Sequence, residues 1–308
     1  MKTAIIGTGG VGGYFGGKMA KAGLDVTFLA RGAHAAAMRT KGITVKSLDG
    51  DFHVENVKVK ETISEIGPSD LIMVCVKAWQ IKEVRDELKT IVHENTVVLP
   101  LQNGILAFDE LAETIPSKNV ISGLCRIISK IEGPGVINHF GVSPIIIFGE
   151  KDKSDTPRLH AIKELFDTAG FKSQVSPDMD AELWKKFIAI CVSGLIAVTN
   201  TTYGQLREIP ETRQMMIDLL NEIYTLSQKM NINIESDFVD KTVSFIDSFP
   251  YDSTSSLTRD VWEKKPSEIF YQNGTTVKLG EKYGVDTPVN RFVFNCILPG
   301  ELRVRGRE

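Results

Sequence analysis

Residues 3–12 read Thr-Ala-Ile-Ile-Gly-Thr-Gly-Gly-Val-Gly, an apolar run that passes straight into glycines. Thr3–Ile6 predicts a strand, residues 7–12 match GxGxxG, and a helix is expected through about Lys21. The pattern alone is weak. Between a strand and a helix it has the context in which it binds a dinucleotide. Gly7 then permits the tight turn, Gly9 leaves room for a pyrophosphate, and Gly12 lets the helix pack closely on the strand. Free N–H groups at a helix start favour a dianion there, so Gly7, Thr8, Gly9, Gly10, Val11 and Gly12 are candidate cofactor contacts. A glycine loop without a ligand is the plainer alternative.

Working outward, Asp25–Ala30 predicts a second strand, which ends at Arg31-Gly32. An NAD-specific site usually places an acid near this point for the ribose hydroxyls. No acid lies between Asp25 and Asp49, and Arg31 stands there instead. A guanidinium can hold a 2′-phosphate and stack on adenine, which favours NADPH over NADH. The competing reading of Arg31 is an exposed loop charge.

Ile43–Ser47 and Phe52–Val59 suggest a paired excursion, and Asp70–Val76 and Thr96–Leu101 are continuous apolar runs. Runs of that kind suit parallel strands covered on both faces. Asn119–Ile128, Pro144–Phe148 and Phe171–Val175 complete the strand-like segments. Strand–helix alternation favours an α/β fold with a parallel sheet. From about Asp180 the pattern becomes helical, over 180–199, 211–230, 237–249, 255–262, 267–283 and 288–297, punctuated by Pro210, Pro250, Pro266 and Pro288. Two domains follow, 1–175 and 176–308. The tail from Gly300, with Arg303, Arg305 and Arg307, is expected to be a solvated, frayed end.

The chain has 308 residues, 42% hydrophobic and 24% charged, with a net charge of −3 from 36 basic and 39 acidic residues. That is an ordinary globular composition and lacks the basic field of a nucleic-acid partner. Four cysteines at 75, 125, 191 and 296 form no CxxC pair, so no local metal site or redox dithiol is expected, and they read as small buried hydrophobes. No signal peptide is expected, because only Thr3–Ile6 separate Lys2 from the glycines, and Phe187–Val198 is too short to span a bilayer. A cytoplasmic protein without a membrane partner is expected.

Ligands in an open α/β sheet lie beyond the carboxyl ends of strands. Lys77 follows one such run and Gln102-Asn103-Gly104 another. Lys77 can bind a ribose or a carboxylate, and Asn103 offers a donor and an acceptor; a solvated lysine is the alternative. On helix 180–199, Lys185 and Lys186 point about 100° apart. Lys186, Ser193, Ala197 and Asn200 form a narrow stripe of small or polar residues. Lys186 at its head is either a proton donor tuned by desolvation or a lysine snorkelling along the surface. Ser255-Ser256-Leu257-Thr258-Arg259-Asp260 looks like a helix start with a hydroxyl available for capping, and Glu268, in the expected first turn of 267–283, suits the macrodipole. Plain capping is the competing reading of Ser256 and Glu268.

Together GTGGVG at 7–12, Cys75-Val76-Lys77-Ala78-Trp79-Gln80, Gln102-Asn103-Gly104, Trp184-Lys185-Lys186-Phe187, Ser255–Asp260, and Pro266-Ser267-Glu268-Ile269 with Asn273-Gly274 resemble the ketopantoate reductases (2-dehydropantoate 2-reductases) over nearly the whole chain. The resemblance implies an N-terminal Rossmann domain and an all-helical C-terminal domain like that of 6-phosphogluconate dehydrogenase. It implies an oxidoreductase that reduces 2-dehydropantoate to (R)-pantoate with NADPH, on the route to pantothenate. Lys186 is then the general acid and also binds the substrate oxygen. Glu268 assists it or binds cofactor and substrate. Asn103 and Lys77 contact the nicotinamide side, Asn103 also meeting the substrate, and Ser256 contacts the substrate carboxylate. Members active on ketopantoate commonly carry Asn four and eight residues after the lysine, where this chain has Ile190 and Gly194. A paralogue reducing another branched 2-oxo acid, or a dinucleotide sensor without turnover, are the alternatives. The apolar stretch Phe292-Val293-Phe294 with Cys296 and Ile297 is compatible with a homodimer, although such stripes more often belong to a core.

Overall fold

A computed structural model describes residues 1–306. By packing, the chain forms two units, Met1–Gln102 with Leu106–Met179, and Asn103–Ile105 with the residues from Asp180 onward. The expected boundary at 175/176 falls four residues before this division. Ser176–Met179 stays with the first unit because Ser176 N donates to Phe148 O at 2.9 Å, and a side chain at Gly149 would meet Met179 Cγ at 3.0 Å.

The first unit runs β1 Thr3–Ile6, α1 Gly10–Lys21, β2 Val26–Leu29, α2 Gly32–Lys41, β3 Ile43–Ser47, β4 Phe52–Val54, β5 Lys58–Lys60, β6 Leu71–Val74, α3 Ile81–Leu88 and β7 Val97–Pro100. It continues α4 Ala107–Ala112, β8 Ser122–Arg126, β9 Ser129–Gly133, β10 Val136–His139, β11 Ile145–Gly149, α5 Pro157–Thr168 and β12 Lys172–Val175. Five parallel strands form the main sheet in the order β5-β2-β1-β6-β7. β1, β6 and β7 are buried on both faces. Their side chains alternate, as a strand dictates: Ile5, Leu71 and Met73 enter one apolar cluster, while Ala4, Ile6, Ile72 and Val74 enter another. The strand order reverses between β1 and β6, which is where such sheets bind ligands.

A four-stranded sheet, β4-β3-β10-β9, covers α1, and a three-stranded sheet, β12-β11-β8, completes the unit. The sequence reading misses β9 and β10. Ser129–Gly133 carries no fully buried side chain, so it lacks an apolar signature. The excursion after α2 is partly as expected: β3 pairs antiparallel with β4, but Lys58–Lys60 leaves it to join the main sheet beside β2.

The second unit holds α6 Met179–Ile190 (from Asp180), α7 Val192–Thr199, α8 Tyr203–Glu208, α9 Pro210–Lys229, α10 Phe238–Asp247, α11 Ser256–Trp262, α12 Asn273–Tyr283 and α13 Pro288–Val304. Pro210 and Pro288 open their helices, where the missing N–H costs nothing. α7 is central, with six of its eight residues buried, and contacts α8, α9, α11 and α13.

Three expectations need correction here. The helix expected over 180–199 is two helices. Asn273 Nδ2 donates to the Cys191 carbonyl at 3.1 Å, and the ladder tightens there, with Gly194 N bonding Cys191 O at 3.2 Å. A side chain inserted into a helix ladder breaks it. The chain end is not frayed as far as Gly306: α13 passes through Pro299 to Val304, and Arg305 is bonded to Glu301 and Ser267. Arg307 lies outside the described residues. Finally, Cys125 and Cys191 are buried as expected, but Cys75 is half-buried and Cys296 is exposed. No helix among the described residues is long and apolar enough to cross a membrane.

Candidate active site

The glycine turn is built by close approach. Gly7 adopts φ +98°, and a Cβ there would lie 2.8 Å from Val76 N, so the turn after β1 abuts the chain one residue before Lys77. At Gly12 a Cβ would fall 2.2 Å from Gly7 O and 2.8 Å from Ile5 Cγ2, which is why α1 can start so close to its strand. Gly9 differs: nothing lies within 4 Å of the position its Cβ would take. It precedes α1, a twelve-residue helix with no side-chain cap and no acid in its first turn. Unsatisfied N–H groups, an open approach and no competing carboxylate fit a pyrophosphate. Thr8 has another job. Its Oγ1 and N both donate to Leu29 O, at 2.9 and 3.1 Å, fastening the turn to the end of β2.

Arg31 precedes α2 and is exposed, and its guanidinium pairs with no other described residue. His34, one turn further, escaped the sequence reading. Its Nδ1 accepts from Gly135 N at 3.0 Å, and burial pushes its pKa down, opposed in part by the Thr8 carbonyl. Lys77 is half-buried ahead of a short 3₁₀ turn, Ala78–Gln80; its N–H donates to Gln80 Oε1 at 3.2 Å.

Gln102 and Asn103 are adjacent in sequence but serve different units. Gln102 is buried and donates Nε2 to Val74 O and Val76 O, at 2.8 and 3.0 Å, locking the end of β7 to that of β6. Asn103 Nδ2 donates to Glu268 Oε2 at 2.9 Å, joining residues 165 apart in sequence. Glu268 is only 4% exposed. It is not in a helical first turn as expected. Ile269–Tyr271 is one 3₁₀ turn, and Gln272 at φ −114°, ψ −108° ends it before α12 begins at Asn273. Glu268 therefore does not sit in the first turn of an α-helix, and its side chain accepts from the Asn103 amide.

Lys185 and Lys186 are both half-buried on α6. Lys185 bonds Glu235 at 2.8 Å and lies 5.8 Å from the centroid of the Phe238 ring. The stripe drawn from Lys186 does not survive the break at Cys191. Ser193 and Ala197 are buried, their carbonyls accepting from Thr258 Oγ1 at 2.9 Å and Trp262 Nε1 at 3.2 Å. Asn200 is exposed in the left-handed region beyond α7. Of the paired serines, Ser255 is the cap, accepting from Thr258 N at 3.1 Å. Ser256 is exposed, and its hydroxyl bonds no described residue.

Gly194 has no room for a side chain. A Cβ would lie 2.4 Å from Asn273 Oδ1 and 2.7 Å from Val293 Cγ1. Asn273 is itself fixed, donating to Cys191 O and, at 2.9 Å, to Asn290 Oδ1.

Residues 3–153 match the family model "Ketopantoate reductase PanE/ApbA", and residues 178–301 match "Ketopantoate reductase PanE/ApbA C terminal". The chain is 30% identical over 302 residues to a 2-dehydropantoate 2-reductase of Nostoc sp., covering 96% of this chain and 92% of the relative. It is 28% identical to the uncharacterized oxidoreductase YkpB of Bacillus subtilis, over 96% of this chain and 97% of that one. The crystal structure of 2-dehydropantoate 2-reductase from Geobacter metallireducens is similar with a TM-score of 0.91 at 27% identity, over 97% of this chain and 99% of that one.

Proposed function

This chain belongs to the ketopantoate reductase family of dinucleotide-binding oxidoreductases, and from that premise we propose that it reduces 2-dehydropantoate to (R)-pantoate with NADPH. The observation that carries the reading is the Asn103–Glu268 pair, a buried carboxylate held by an amide at the positions that the family resemblance assigns to the reaction.

The first turn of α1 would receive the pyrophosphate, with Thr8 fixing the turn from behind and Gly9 leaving the approach open. Arg31 would take the 2′-phosphate, since no described residue competes for its guanidinium. When bound, the reduced nicotinamide supplies the hydride. Lys186 gives its proton to the carbonyl oxygen as that oxygen becomes an alkoxide, and the lysine is then reprotonated from solvent. Asn103, with one Nδ2 hydrogen spent on Glu268, keeps Oδ1 and its second hydrogen for the nicotinamide side and the substrate. Lys77, three residues beyond the end of β6, would also contact the nicotinamide side. Ser256 offers an unspent hydroxyl to the substrate carboxylate. Glu268 orients the Asn103 amide and assists Lys186.

Steady-state NADPH oxidation against a panel of branched 2-oxo acids tests the proposal. Lys186→Ala is expected to lower turnover by about 10²–10⁴-fold while NADPH binding, followed by fluorescence, is retained. Near-normal turnover would remove Lys186 from the mechanism. Gly194 favours a second reading. With no side chain there and Ile190 one turn before it, the two amides common in ketopantoate-active members are missing. Lost polar contacts of this kind change specificity strongly. A less polar branched 2-oxo acid is then the better substrate, and a wide preference for ketopantoate in the same panel would dispose of this reading.

A further inference from the structure

We infer that Glu301 and Arg305, in and just after the last turns of α13, are positioning residues for Glu268. The inference rests on the reading above, in which Glu268 serves the reduction. Glu268 lies outside any α-helix, at φ −95° and ψ 24°, and its own backbone makes one 3₁₀ bond, its carbonyl accepting from Tyr271 N at 2.9 Å. The residues on either side add the remaining anchors. Ser267 is 1% exposed and Glu301 is 3% exposed. The Glu301 carboxylate accepts from Ser267 N at 3.0 and 3.1 Å and from Ser267 Oγ at 2.7 Å. Arg305 donates Nε to Glu301 Oε1 at 2.5 Å and Nη2 to the Ser267 carbonyl at 2.8 Å. Ser267 Oγ in turn accepts from Ile269 N at 3.3 Å.

These bonds fall on both peptide planes that flank the Glu268 Cα. The plane before it is held at its carbonyl by Arg305, and the plane after it at its N–H by Ser267 Oγ. The Cα–Cβ direction of Glu268, and so the approach of its carboxylate to Asn103 Nδ2, follows from these anchors. Arg305 suits the task because its planar fork donates along two fixed lines, one to a carboxylate and one to a carbonyl. The guanidinium also lies 5.8 Å from the Phe270 ring centroid, so the fork is packed as well as bonded. Sites built this way need roughly 0.5 Å precision, which an unanchored three-residue turn does not supply.

A fastening of the chain end that serves stability alone would leave turnover per folded molecule unchanged. The two roles separate in a double-mutant cycle on the full chain, with the best 2-oxo acid from the panel as substrate. Arg305→Ala is expected to lower kcat by about 10–100-fold with a smaller change in KM. Glu268→Gln should slow the enzyme at least as much, and the double variant should be no slower than Glu268→Gln alone, because both changes remove one function. Arg305→Lys, which keeps the charge but not the fork, should recover only part of the loss, and it carries the comparison if the alanine variant does not fold. Additive losses, or wild-type kcat in Arg305→Lys and Arg305→Ala, would overturn the inference. Amide hydrogen exchange supplies a readout without turnover: protection at Ser267–Tyr271 should fall in the Arg305 variants of the ligand-free protein. Unchanged protection overturns the clamp itself. A wild type that reduces no 2-oxo acid overturns the reductase reading and the positioning role with it, even where lost protection shows that the clamp exists.

Discussion

At position 194 the absence of a side chain does the structural work. Replacing a helical glycine with alanine ordinarily gains about 1 kcal/mol. Here the added methyl would lie 2.4 Å from Asn273 Oδ1, and Asn273 cannot withdraw without giving up its bonds to Cys191 O and Asn290 Oδ1. Overpacking of this kind costs about 1–3 kcal/mol, so it wins. Gly194→Ala is expected to lower the denaturant midpoint, and a raised midpoint would mean that Asn273 yields. By the same geometry, an asparagine cannot be grafted at 194 unless Asn273 changes too. Local pattern misleads at the adjacent serines: a capping hydroxyl is readable at 255–256, but not which serine caps, because the choice between neighbours turns on one residue of phase at the helix start.

His34 shows how an element carries a charge-sensitive contact. As the acceptor from Gly135 N, its Nδ1 must be unprotonated, and burial holds the folded pKa below the ordinary 6.5. A base whose pKa is lowered on folding binds its proton more readily when unfolded. Its contribution is therefore whole above about pH 6.5 and is lost as pH falls through the lowered value. Denaturation of the wild type should show this loss on acidification, and His34→Gln, which can still accept from Gly135 N, should flatten the slope there. An unchanged slope would assign it to other groups. Elements with continuous apolar runs, β1, β6 and β7, were legible to within two residues at either end. The short α8 was not, although its signal was present: Thr202 and Gln205 cap one another, Gln205 N to Thr202 Oγ1 at 3.3 Å and Thr202 N to Gln205 Oε1 at 2.9 Å, the capping-box spacing. The break between α6 and α7 left no local signal, since the side chain that causes it comes from residue 273.

Across the whole chain, alternation of strands and helices followed by helices alone made the two-part organisation readable. The pairing of Lys77, Asn103, Lys186 and Glu268 into one candidate set came from resemblance rather than from pattern. What stayed hidden is the three-residue excursion Asn103–Ile105, whose membership of the second unit is decided by distant partners. Asn103 bonds Glu268, a side chain at Gly104 would meet Tyr271 O at 2.7 Å, and Ile105 packs on the helical core. The halves are therefore not separable by a single cut. A gene split between codons 179 and 180 would deliver a helical fragment stripped of the tripeptide that plugs its own core. That fragment should bind a hydrophobic dye that the intact chain excludes, and equal dye binding by both would show the plug to be dispensable. Circular rearrangement or domain exchange within this architecture must carry the small borrowed loop along with its adoptive host.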